Sequence, residues 1–190
     1  MKNQSIVDWL DDLGSKEPTP GGGAVAGLNG AIAAAQLKMI CEYTKDEEIQ
    51  SKTNELGLKV LEFLDLATRD SESYLKVREA YKEKNDELIQ IALINAAEVS
   101  IDTAARCDDL MVFIEENLSK FNKNFFADLI VVIANLKAAT RSAKAMEDVN
   151  AKSITNEAAK GRVENNSEYC SQMLKRADKL FESIEEVSND

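Results

Sequence analysis

The sequence predicts an all-α protein, a single-domain bundle of about six helices spanning residues 1–190. Three observations lead there. Both prolines fall within the nine residues from Ser15 to Gly23, so nothing after Pro20 interrupts a helix for want of a backbone N–H. Apolar residues recur at spacings of three, four or seven along most of the remaining chain, with no period-two alternation and no internal repeat. Hydrophobic residues make up 44% and charged residues 30% of 190 positions, enough apolar material for one sizeable core.

The elements follow in order. Ser5 can cap a short helix with Asp8 three residues on, placing Ile6, Trp9, Leu10 and Leu13 on one face and ending at Gly14. The segment Ser15-Lys16-Glu17-Pro18-Thr19-Pro20-Gly21-Gly22-Gly23 is a rigid turn that opens a second helix, from about Gly22 to Tyr43. That helix carries no charge from Ala24 to Leu37 and is apolar nearly all round, so it should be central. Within it Gly27 and Gly30 each cost about 1 kcal/mol against alanine, which points to close helix packing or to a nearby ligand. From Asp46 to Asn85 the stripe Leu56, Val60, Phe63, Leu64, Ala67, Tyr74, Val77, Tyr81 describes one helical pattern. Unbroken it would span roughly 60 Å, so one break is expected, with Gly57 a candidate bend. Asn85-Asp86 caps the next helix, which runs through Leu88 to Ala105 and toward Leu118. Ser119 to Asn124 reads as a loop. A helix from about Phe125 to Asn150 follows, then a charged, amphipathic and outer one from about Ser153 to Val187.

Charge and composition exclude several functions. Lys plus Arg number 23 and Asp plus Glu 34, a net charge of −11 that disfavours nucleic acid and anionic membrane as partners. There is no histidine, hence neither the commonest general base near neutral pH nor the commonest zinc ligand. Cys41, Cys107 and Cys170 match no metal-ligand spacing, so no metal is expected. Their odd number, with no apolar signal core behind the start Met1 to Ser5, predicts reduced thiols in the cytoplasm. No membrane span is expected either. The most apolar stretch, Ala24 to Ile40, contains Asn29, Gln36 and Lys38, whereas a span needs about 20 predominantly apolar residues.

Three places can carry chemistry. Gly21, Gly22 and Gly23 open a helix and leave backbone N–H groups at the positive end of its dipole, suited to an anion or a carbonyl oxygen. Lys16 adds a cation there and Glu17 a base or acceptor. No Gly-Lys-Ser/Thr follows, so this is not a phosphate-binding P-loop. By itself the segment reads equally well as a structural turn or as a site. Asp70 and Tyr74, four apart, share a helix face, and Tyr74 lies on the apolar stripe that would draw Asp70 inward. Pairing of Asp70 with Arg69, Lys76 or solvent is the plainer reading. Asp128, near a helix start, is a favourable charge at the N-terminus, and Met146 to Asn150 closes the same helix. On a straight helix Asp128 and Asn150 would stand about 33 Å apart. They therefore serve different ends, or a second subunit completes each site.

At these residues the chain resembles the formiminotetrahydrofolate cyclodeaminase / methenyltetrahydrofolate cyclohydrolase family. Leu13 to Gly23 with its small-residue helix is similar to the family's N-terminal signature. Asp70 with Tyr74 is similar to its Asp-x-x-x-aromatic pair, Ala127-Asp128 to its Ser/Ala-Asp helix start, and Val149-Asn150 to the end of its Asn-Val-x-x-Asn element. The sequence departs from the family pattern at Met146 (an Asn there), Asn156 (an Asp) and Ser100 (often a Pro). The resemblance implies an all-α homodimer acting on a folate one-carbon unit without metal or organic cofactor, the tetrahydrofolate derivative being the substrate. It implies catalytic carboxylates at Glu17 and Asp128, with Asp70 as a third. Substrate would be held by Lys16, Thr19, Gly21, Gly22, Gly23, Tyr74 and Asn150. Cyclohydrolase is the expected activity rather than cyclodeaminase, because no formiminotransferase domain precedes this one. The changes at Met146 and Asn156 keep open a non-catalytic homologue that binds folate or acts as a scaffold. An unrelated helical interaction protein is the third alternative.

Overall fold

A computed structural model describes residues 4–188. Of the expected domain, residues 1–3 and 189–190 lie outside the described residues, and so does most of the start on which the absence of a leader was read. Among the described residues there are seven α-helices and no strand: α1 (Ile6–Leu13), α2 (Gly22–Glu42), α3 (Glu47–Ser51), α4 (Thr53–Glu83), α5 (Asp86–Asn117), α6 (Phe126–Ala151) and α7 (Glu157–Ser188).

The helix starts are set by local capping. Ser5 accepts from the Asp8 N–H, Asp46 from the Ile49 N–H, and Asn85 from both Glu87 and Leu88. Asn156 accepts from the Ala159 N–H at the start of α7, a capping role that asparagine fills as well as aspartate. The expected break in the long third pattern falls at Lys52, between α3 and α4, and this short extra helix raises the count from about six to seven. Gly57 is not the break, since α4 runs through it unbroken. Gly14 ends α1 at φ −80°, a right-handed conformation that any residue adopts. The segment read as a loop holds two 3-10 turns, Leu118–Lys120 and Lys123–Phe125. They are tied to the end of α2 by Asn122, which donates to the Tyr43 carbonyl and the Thr44 hydroxyl.

The central position expected for α2 is observed. It packs against α4 and α6, and α5 closes the other side against both. α2 and α4 run antiparallel along a seam of small residues: Gly23 faces Asp70, Gly27 faces Ala67, and Gly30 faces the Phe63 ring. α2 and α6 are also antiparallel, with Gly22 beside Met146 at one end and Gln36 bonded to Asp128 at the other. α7 lies outside α6 and α5 and buries Cys170, Met173, Ala177, Leu180 and Ile184, the stripe of an amphipathic outer helix. α1 meets expectation at Trp9, which packs on Ala24 and Ala67, and at Leu13, half-buried against the same cluster; Ile6 and Leu10 stay exposed. Stretches of α2 and α5 are long and apolar enough to cross a membrane, but about half of each is buried inside the bundle, as in a core helix.

Lys84 ends α4 at φ 55°, the one non-glycine with positive φ among the described residues. A side chain there costs about 1 kcal/mol. Lys84→Gly is therefore expected to raise the melting temperature by a few degrees, measured by thermal unfolding.

Candidate active site

The N-terminus of α2 opens onto a cavity of about 290 Å³, of the size that holds part of a small ligand. One wall is the turn, through Pro18, Thr19 and Gly21 to Gly23. The second is α4, through Asp70, Ser73, Tyr74 and Val77. Ala96 of α5 supplies the floor, and Met146, Val149 and Asn150 of α6 the third wall. The turn is shaped by its own side chains and backbone. The Ser15 hydroxyl donates to the Asp12 carbonyl at 2.7 Å and accepts from the Glu17 N–H at 3.0 Å, and the Thr19–Pro20 peptide bond is cis. Gly21, the N-cap residue of α2, has no side chain to cap the helix. The N–H groups of Gly22 and Gly23 therefore stand at the positive end of the dipole, beside the cavity.

Asp70 is the carboxylate of this cavity. The Ala24 N–H donates to its carboxylate, so the side chain sits on the first turn of α2. That approach needs Gly23: a Cβ there would lie 1.9 Å from Asp70 Oδ1. Burial raises the Asp70 pKa above its ordinary value of 3.8, and the bond from Ala24 partly offsets the rise. The result is a carboxylate with more proton affinity than a surface aspartate, next to hydrogen-bond donors and an apolar wall. Such a group can accept a proton from water or hold a cationic centre. Tyr74, 47% exposed, stands at the mouth. Met146 lies across the turn, its Cε 3.3 Å from where a Gly22 Cβ would be.

The structure thus brings together Thr19, Gly21, Gly22, Gly23, Asp70, Tyr74 and Asn150. Lys16 and Glu17 lie on the turn but are exposed, outside the cavity lining. Asp128 is at the far end of the unbroken α6, accepting from Gln36 Nε2 at 3.2 Å. Val149 lies in the Met146 to Asn150 stretch that the sequence marks, whereas Ser73, Val77 and Ala96 are lining residues with no such mark. Ser73 and Val77 fall three and seven positions after Asp70, so the spacing that linked Asp70 to Tyr74 also carried them. Nothing local marks Ala96. Ser100 is buried in α5. Among the described residues no group of three or more acidic or thiol side chains is placed to hold a metal ion.

The model of the Formiminotransferase-cyclodeaminase family matches residues 5–169. The chain is 30% identical over 174 residues to a methenyltetrahydrofolate cyclohydrolase of Methylorubrum extorquens, covering 82% of this chain and 83% of that protein. Its fold is similar to the crystal structure of formiminotetrahydrofolate cyclodeaminase from Thermotoga maritima. The TM-score is 0.83 at 28% identity, over 96% of this chain and 98% of the other. The match from the first helix into the last, together with the glycine turn and the cavity it lines, places this chain in the formiminotransferase-cyclodeaminase family.

Proposed function

We propose that this protein is a folate one-carbon enzyme that opens the methenyl bridge of 5,10-methenyltetrahydrofolate with water, giving 10-formyltetrahydrofolate. The observation that carries the reading is Asp70, a carboxylate held on the Ala24 N–H within the cavity that the glycine turn and Asn150 share. The methenyl carbon lies between two nitrogens of an amidinium cation. Water attacks it and passes a proton to Asp70, forming a tetrahedral carbinolamine. Collapse breaks one C–N bond, and the released nitrogen takes up a proton. The free N–H groups of Gly22 and Gly23 suit a pterin carbonyl oxygen, and Asn150 adds a hydrogen-bonding amide. Tyr74 at the mouth offers a face for stacking. Lys16, exposed at the rim, suits the anionic glutamate tail, and Glu17 is a second carboxylate at the entrance.

The enzyme is further proposed to act in the cytoplasm as a homodimer. Three buried free cysteines fit a reducing compartment. Exposed Ile32 on α2 and Val131 on α6 offer an apolar face for a second copy, and sedimentation would measure the association. Because α6 is unbroken, a catalytic role for Asp128 requires that second copy.

The test is the near-ultraviolet absorbance of 5,10-methenyltetrahydrofolate over time, with and without protein, at a pH where spontaneous hydrolysis is slow. Accelerated loss is expected. Formation of the chromophore from 5-formiminotetrahydrofolate, without that loss, would replace hydrolysis by cyclodeamination. Silence in both assays would refute an enzymatic role.

A further inference from the structure

The last two turns of α6 have two unlike sides. Met146, Val149 and Asn150 line the cavity. Glu147, between them in sequence, turns toward α7 and is 0% exposed. One of its oxygens accepts from Asn166 Nδ2; the other, Oε2, is buried without a hydrogen-bond partner. The nearest cation is engaged elsewhere: Lys144 Nζ binds Asp148 at 3.0 Å and the Ser167 hydroxyl, which itself bonds Asp148.

The other elements packed on α6 offer Glu147 no charge partner. α2 is uncharged from Gly22 to Leu37. On α5, Glu98 pairs with Arg162, Asp102 with Arg69, and Asp108 with Arg176 and Tyr169. Cys107 of α5 and Cys170 of α7 are buried thiols pushed up to about 12, silent near neutral pH. A negative charge on Glu147 would thus be buried with a single hydrogen bond and no ion pair, the arrangement that most strongly favours the neutral acid. Burial pushes this carboxyl up to about 7; the Asn166 bond and Lys144 pull it down, and Asp148 pushes it up.

We propose that Glu147 is a positioning residue for the cavity: its ionisation, wedged between α6 and α7, loosens the segment carrying Met146, Val149 and Asn150 and weakens ligand binding. The neutral side chain holds that wall in place and the charged one does not. The same titration has a defined sign for stability. The acid's folded pKa is raised, so its stabilising contribution is complete below about pH 4.5, where an unfolded glutamate ionises, and is lost as pH rises through about 7.

The test is hydrogen–deuterium exchange on the full chain without ligand at pH 6 and pH 8, corrected for intrinsic exchange rates. Amides of residues 146–151 are expected to lose protection at pH 8 in the wild type. In Glu147→Gln, a neutral side chain of the same shape, they should keep it. Constant protection in the wild type, or the same loss in the glutamine variant, overturns the proposal. A second arm rests on the folate reading and uses 5-formyltetrahydrofolate, which has no methenyl bridge to hydrolyse. Wild-type affinity should fall roughly 5- to 10-fold from pH 6 to pH 8, and that of Glu147→Gln should stay level. Asp70 is present in both proteins, so its titration cancels. An equal fall in both proteins would detach Glu147 from the cavity. Absence of binding at either pH would defeat the folate reading, and the exchange result alone then decides the positioning role.

Discussion

Asp70→Asn is expected to lower the rate of the proposed methenyl hydrolysis by about 10²- to 10⁴-fold, the range of a lost general base, with the fold intact. The amide has nearly the shape of the carboxylate, and its oxygen can still accept from the Ala24 N–H. It is also neutral, and burial already opposes the charge at this position, so the melting temperature should hold or rise. The loss is expected in kcat rather than KM, because the proton moves only on the way to the transition state. The pH profile provides a second check. Only the ionised form accepts a proton, so wild-type kcat/KM should climb with pH along a limb that lies above the ordinary aspartate value of 3.8. That limb should vanish in the variant. Full turnover by Asp70→Asn would remove this residue from the mechanism and make Glu17→Gln the next variant to measure.

Gly30→Ala and Gly27→Ala are each expected to destabilise the protein by about 2 kcal/mol, after the gain in helix propensity is subtracted from the overpacking. The methyl at position 30 would lie 2.3 Å from Phe63 Cδ1, and that ring is 0% exposed with nowhere to move. At position 27 the obstacles are backbone: the Ala67 nitrogen and the Phe63 carbonyl oxygen, both at 2.8 Å. α2 and α4 must separate to admit either methyl, and that separation also disturbs the Gly23–Asp70 contact, one turn from Gly27 and two from Gly30. Gly57→Ala and Gly161→Ala serve as controls. Both lie inside helices, with at most Lys38 Cε at 3.8 Å for a neighbour, and should stabilise by up to about 1 kcal/mol. Urea unfolding of the four variants measures the contrast. Stabilisation by all four would mean that the α2–α4 seam is looser than these distances.

The placement of most helices follows from features visible in the sequence. The caps at Ser5 and Asn85, the charge-free run of α2 and the spacing of apolar residues in α4 and α6 are local, and each foretold an element that the structure contains. Where the expectation slipped, the local signal was weak. Gly57 is the only bend the sequence marks in the long pattern, yet the chain breaks at Lys52 and leaves Gly57 inside α4. The apolar face of α1 was legible as a pattern, yet only Trp9 and Leu13 found a partner surface, while Ile6 and Leu10 stay exposed.

The site divides in the same way. From sequence alone, the glycine turn, the pairing of Asp70 with Tyr74 on one face and the separation of Asp128 from Asn150 along α6 could be derived, since helical rise and periodicity fix them. Tertiary packing decided the rest. It set the turn, Asp70 and Asn150 around one cavity and left Lys16 and Glu17 outside its lining. It supplied Ala96 from a helix with no local mark, and it buried Glu147 in a stretch that reads as the polar end of a helix. Periodicity is a property of neighbours along the chain, within a few residues. Which helix faces meet depends on how closely two backbones approach, and here that was determined by the absence of Cβ atoms at Gly23, Gly27 and Gly30.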